Sequence, residues 1–391
     1  MPVSQSNEVV LAENLRLQDF VDRVFESLTR AEQRRWARTY LRGLVHGNGR
    51  RTPRGLARAE QLPAAAANGL HQFINASPWD WEPVRRRVAR QIAASTTPFA
   101  WTTAELIIPK RGEHSVGVHQ HVAAGTERPV NCQRSLGFFL ATDVGSFPVG
   151  WSLVLRGVWE SDHERRDRAR IPATEYGHPV ASYVMDFADS AAADPTLPAV
   201  PWALDLVRCE DATGVLAGLV RRGLDFACEV HQSQLLVTGR PGAPAVVTVG
   251  ELMESRLGQR AHLLTPPSGH RGSASVKIYA KQARLPLFGA ADERSRTVRV
   301  LEWPNQSLGQ PSRYWITSCT NGRVGKILSL ARARIAALAT IAELQEHFGA
   351  LDFEGRSFPG WHHHMTMAST AYAYRNLPAC APPLALSGTA C

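Results

Sequence analysis

The segment Phe353 to Tyr374, FEGRSFPGWHHHMTMASTAYAY, gathers a carboxylate, a guanidinium and three adjacent imidazoles (His362, His363, His364) ahead of an apolar helical run. Imidazoles titrate near neutrality, so this group could supply an acid, a base or metal ligands. Convergence of all three on one metal is excluded, because helical neighbours point about 100° apart. His–X3–His spacing would put two rings on one face, and the segment lacks it. The structural reading makes Trp361 an anchor of a packed helix and pairs Glu354 with Arg356. The functional reading gives His362 or His363 a role as acid, base or donor.

Further residues could do chemistry. His119 and His121 alternate on a strand and share a face. Glu105 is a carboxylate in an otherwise apolar strand, and Asp205 ends another. Buried and unpaired, Glu105 would cost several kcal/mol, so it predicts a partner, with His362 or His363 the candidates. Arg85, Arg86 and Arg87, then Arg165, Arg166 and Arg168, then Lys277 and Lys281 form basic runs suited to phosphate contacts. Lys and Arg total 44 against 35 Asp and Glu, a net charge of +9. That balance suits a polyanion such as DNA. A GC-rich genome that writes arginine everywhere gives the same balance.

The elements that must position these residues follow from periodicity. Residues 1–95 read as a helical domain, with Thr52 then Pro53, and Ser77 then Pro78, as helix starts. After Ser95, short strands alternate with helices, which argues an α/β core over 96–231. Residues 232–318, rich in Gly, Pro and short strands, read as a β-rich insertion. One long helix, RVGKILSLARARIAALATIAELQEHFG, and the helix after Gly360 complete the core over 319–376, with 377–391 a flexible tail. The start of the chain does not read as a signal peptide, no stretch reads as a membrane span, and the six cysteines form no C-x-x-C pair. A cytoplasmic location with free thiols follows as an expectation.

Several stretches carry a resemblance. WTTAELIIPKRGEHSVGV, NCQRSLGFFLA, DHERRDRARIP, LEWPNQSLGQPSRYWIT, YLRGLVHGNGRR, FINASPWDWEPV and EGRSFPGWHHH resemble motifs of the bacterial insertion-sequence DDE transposases over roughly residues 18–375. The resemblance implies an RNase H-like mixed sheet flanked by helices, a helical N-terminal domain and a β-rich insertion. It also implies two-metal chemistry, in which three carboxylates hold divalent ions that clamp attacking and leaving oxygens.

The positions matching those carboxylates depart from the pattern. The first lies at Ala104-Glu105-Leu106, leaving Glu105. The second falls on Leu206, beside Asp205, which strand alternation aims at the opposite face. The third falls on Leu338, with Gln345 where a basic residue is usual. A local shift would give Asp205 or Glu343 a role instead. Two alkyl side chains cannot ligate a metal, so no metal and no cofactor is expected.

Three functions follow. The first is a transposase-like protein that has lost strand transfer and serves as a DNA-binding or regulatory protein. The second is a repurposed metal-free enzyme, performing acid–base or cyclisation chemistry on a small molecule in the former cleft, with Glu105, Asp205, His119, His121, His362 and His363 as its lining. The third is an active transposase with a variant triad. A decaying relic is the bland form of the first. Partners are DNA or a small molecule, no membrane, with a homodimer open.

Overall fold

The computed structural model describes residues 3–122, 128–240, 243–255, 258–264, 276–287, 297–304 and 312–378. The chain forms two compact units. The first comprises residues 1–98, 104–177 and 338–391, and the second 99–103 and 178–337. They interleave in sequence because the chain leaves the first unit and returns to it.

The first unit opens with helices α1 (Val3–Val24), α2 (Ala31–His46), α3 (Pro53–Ala59), α4 (Ala64–Asn75) and α5 (Trp81–Ser95). Thr52 caps α3 as its Thr-Pro start predicts, accepting from Gly55 N at 3.2 Å. The cap expected at Ser77 is instead Asp80, whose carboxylate accepts from Glu82 N. Ser77 Oγ is engaged by Gln33 Nε2. Strands β1 (Pro98–Pro109), β2 (Val118–His121), β3 (Val130–Thr142) and β4 (Ser146–Leu153) follow, then the short helices α6 (Val158–Ser161) and α7 (His163–Arg168). β3 lies between β2 and β1 and also pairs β4.

The second unit holds α8 (Val180–Ala192), β5 (Trp202–Asp205), α9 (Ala212–Arg221) and β6 (Phe226–Val230). It continues through β7 (Leu235–Arg240), β8 (Ala243–Thr248), α10 (Val249–Glu254), β9 (Arg260–Leu264), β10 (Val276–Arg284), β11 (Thr297–Trp303), β12 (Arg313–Thr317) and α11 (Val324–Ser329). The 99–103 part of β1 runs parallel to β5, and β5 parallel to β6. The sheet then proceeds antiparallel through β12, β11 and β10 to β7 and β8, with β9 on β10. Parallel strands joined by crossover helices give way to a meander, so the sheet is mixed.

The single closing helix expected over 323–349 is two: α11, then α12 (Ala331–His347). The break at Leu330 follows a tightened turn. Leu330 N bonds Ile327 O, and the Ser329 hydroxyl donates to Lys326 O, competing with the regular ladder.

The last helix, α13 (Phe358–Asn376), is buried on every side from Gly360 to Tyr374. It packs against α2, α4, α5 and β4. It is a core helix with its polar side chains buried as well, and Trp361 at 0% exposure anchors it. None of the four described cysteines is in a disulfide. Among the described residues no helix is long and apolar enough to cross a membrane.

Candidate functional site

The three histidines occupy the interior of the first unit, and their partners assign them different states. His364 donates from Nε2 to Gly349 O at 2.8 Å, leaving Nδ1 for the Tyr40 hydroxyl at 3.0 Å, a complete set for a neutral ring. His362 Nδ1 faces Arg85 Nη2 at 3.0 Å; guanidinium only donates, so Nδ1 accepts and Nε2 carries the proton, with no partner among the described residues. His363 has carbonyl oxygens at both nitrogens, Ile74 O and Trp79 O, each at 2.8 Å. Its ring stacks on Trp79 at 3.9 Å. Burial lowers the pKa of His363 and of His364 to about 4, and pushes His362 well below its ordinary value. For His363 the two carbonyls oppose that shift without overcoming it.

Glu105 does not pair with a histidine. It is exposed, and Arg134 on β3 lies 2.5 Å away. Nor does Glu354 pair with Arg356: Glu354 lies 3.8 Å from Arg50, and Arg356 is exposed without an ion-pair partner among the described residues. His119 and His121 have ring centroids 6.5 Å apart on β2. His119 donates from Nδ1 to Gly117 O at 2.9 Å, and its buried Nε2 has no partner among the described residues. Burial and then Arg134 lower His121, with Glu105 opposing. Glu105, His119 and His121 therefore gather around Arg134, while His362 and His363 lie in the core.

Asp205, at the end of β5, lies in register with Glu229 on β6. Arg334 of α12 reaches both, 2.5 Å from Asp205 and 3.3 Å from Glu229. Arg313 forks onto Glu229 with two contacts of 2.6 Å. Leu206 is buried, whereas Leu338, one turn beyond Arg334 on α12, is 45% exposed. Among the described residues no three His, Cys, Asp or Glu side chains could hold a metal ion. Asp205 and Glu229 already bind guanidinium, which does not suit ligands of a divalent ion.

The basic runs divide sharply. Arg85 is 5% exposed and spends its guanidinium on Thr366, His362 and Trp151 O, so it is a core residue, not a phosphate contact. Arg166 is buried against the carbonyls of Trp159, Pro172 and Glu175. Lys281 is buried on Leu252 O and Ser255 O. Arg86, Arg168 and Lys277 are exposed, and Arg87 pairs with Glu26. Arg271 lies outside the described residues.

Three segments remote in sequence converge on a cavity of about 550 Å³ lined by His114, Trp159, Arg165, Arg168, Ala169 and Arg356. None of these residues is acidic. Arg165 lies over the Trp159 ring at 5.5 Å, and Trp159 Nε1 donates to Val118 O, so the ring is a fixed platform. Arg168 is held by Glu164 at 2.8 Å, one turn away. Sequence reasoning missed Arg134, Glu229, Arg313 and Arg334. A glutamate in the apolar strand FACEV was the available signal for the last three.

A mixed sheet with parallel central strands, a crossover helix and flanking helices defines an RNase H-like α/β fold. The chain belongs to the DDE superfamily of endonucleases, whose family model matches residues 23–253, more than half of its length. No curated protein matches the sequence.

Proposed function

We propose that this chain is a transposase-like protein that binds DNA and has lost metal-dependent strand transfer, acting as a DNA-binding or regulatory protein. The observation that carries the reading is the cavity around Trp159. Arg165 and Arg168 from α7 and Arg356 from the turn before α13 present cations around one aromatic platform, with His114 from the turn before β2 beside them. Clustered guanidinia in an open concavity suit phosphate oxygens. The pairing of Asp205 and Glu229 with Arg334 and Arg313 supports the loss of metal chemistry, because a divalent ion would have to displace both guanidinia.

Fluorescence anisotropy on a labelled duplex tests this. Arg165→Gln, Arg168→Gln and Arg356→Gln should each weaken binding, by about 1 kcal/mol or more. Strand nicking of the duplex in Mg²⁺ or Mn²⁺ by the wild-type chain would overturn the loss of chemistry and favour an active transposase with a variant triad.

A second reading keeps catalysis without metal. Its support is the group of Glu105, Arg134, His119 and His121, in which a buried imidazole nitrogen has no partner among the described residues. Saturable binding of a small molecule, abolished by His119→Gln and unaffected by Arg356→Gln, would favour this reading.

A further inference from the structure

A separate cavity lies wholly within the second unit. It has a volume of about 610 Å³ and is built where β9, β10 and β11 meet the turn before α11. Arg260 and His262 come from β9, Arg299 from β11, and Asn321 and Arg323 from the turn. The register explains the grouping. Arg260 faces Ala280, and Gln282 faces Arg299, so alternate residues of three strands present one side of the sheet.

The charges here are unbalanced. No described residue lining this cavity is acidic. Arg260, Arg299 and Arg323 have no ion-pair partner among the described residues, although the same unit pairs Arg222, Arg313 and Arg334 with carboxylates. Arg299 is only 9% exposed. It is held by Gly322 O at 2.8 Å and by His262 at 2.7 Å. Guanidinium only donates, so His262 Nε2 accepts and its Nδ1 keeps a proton to donate. Holding the buried Arg299 guanidinium beside two further cations, with no acidic residue in the described lining, costs free energy that a bound anion recovers.

We infer that this cavity binds a phosphate or diphosphate group, with Arg260, Arg299 and Arg323 as its cationic ligands and His262 and Asn321 as neutral donors. Guanidinium forks match phosphate oxygens in geometry. No tryptophan, tyrosine or phenylalanine is among the described lining residues, so recognition rests on the phosphate and not on a stacked base. The group is carried either by a small molecule or by the end of a nucleic-acid strand. The inference is independent of DNA binding at the Trp159 cavity, whose residues belong to the first unit.

The test is calorimetric titration of the full chain with pyrophosphate at low ionic strength. Saturable binding is expected, weakened about ten-fold or more by Arg260→Gln and by Arg323→Gln. Both are exposed, so these variants should fold even where Arg299→Gln does not. Arg356→Gln should leave pyrophosphate binding unchanged. Competition by a 5′-phosphorylated oligonucleotide but not its 5′-hydroxyl counterpart would assign the group to a strand end. Competition by a nucleoside diphosphate alone would assign it to a small molecule. No saturable binding at about 10 mM pyrophosphate, or equal binding by the Arg260 and Arg323 variants, would overturn the inference.

Discussion

Arg334 Nη2 lies 2.5 Å from Asp205 Oδ2, and its Nη1 reaches Glu229, the residue in register with Asp205 on the neighbouring strand. One guanidinium therefore joins two carboxylates at the ends of two parallel strands. Arg334 is carried on α12 and meets both carboxylates from outside the sheet strands that hold them. Arg334→Ala should destabilise the chain by about 1–3 kcal/mol, between the cost of a surface pair and of a buried one. Calorimetry with Mn²⁺ should show no tight two-ion binding in wild type. A two-metal signal that survives Leu206→Ala but is lost in Glu105→Gln would sink the reading that the metal centre is gone.

If phosphates are held at the Trp159 cavity, DNA affinity should fall linearly with salt on logarithmic axes. Combining Arg165→Gln, Arg168→Gln and Arg356→Gln should lower that slope by about 2–3. Binding of unrelated duplexes should fall in parallel, because phosphate contacts carry no sequence information. An unchanged slope in the triple variant would move the contacts elsewhere, with exposed Arg86 and Lys277 the next residues to test.

Much of the architecture was legible because it rests on local signals. The Thr52–Pro53 start of α3, the strand at Trp202 and the buried helix after Gly360 follow from caps and periodicity. What escaped depended on tertiary partners. Spacing cannot show that Arg85 turns inward to His362 while Arg86, its neighbour, faces water. Nor can it choose between Arg134 and a histidine as the partner of Glu105, since β3 supplies that arginine across the sheet. The carboxylate at Glu229 was hidden by its apolar neighbours, and its arginines come from elements far along the chain.

Glu105→Gln and His363→Ala should behave as a surface and a core substitution, not as two halves of one site. Glu105 is exposed and its pair with Arg134 is partly solvated, so the glutamine variant should lose about 1 kcal/mol or less. His363→Ala removes a ring stacked on Trp79 and leaves a buried carbonyl, Ile74 O or Trp79 O, without its donor. A cost of about 3–5 kcal/mol is expected, read as a shift of the urea midpoint. Equal, small effects from both would mean that the histidine is not a packed core residue.

The same burial sets a pH dependence whose sign can be fixed. His363 and His364 are lowered to about 4 in the folded chain, against an ordinary value of 6.5, and His362 shifts the same way. Between those values the unfolded chain binds protons that the folded chain refuses. Stability is therefore highest above pH 6.5 and falls as pH drops from 6.5 towards 4. From pH 8 to pH 5 each of the two rings should remove about 2 kcal/mol. Urea unfolding at several pH values checks the slope. His364→Gln should flatten it by about one ring's share while lowering stability at pH 8, because Tyr40 and Gly349 O lose a well-matched partner. A stability that holds level down to pH 5 would show that these imidazoles take up protons inside the fold. The seat of that proton would be His363, which alone of the three faces two carbonyl oxygens and an indole ring.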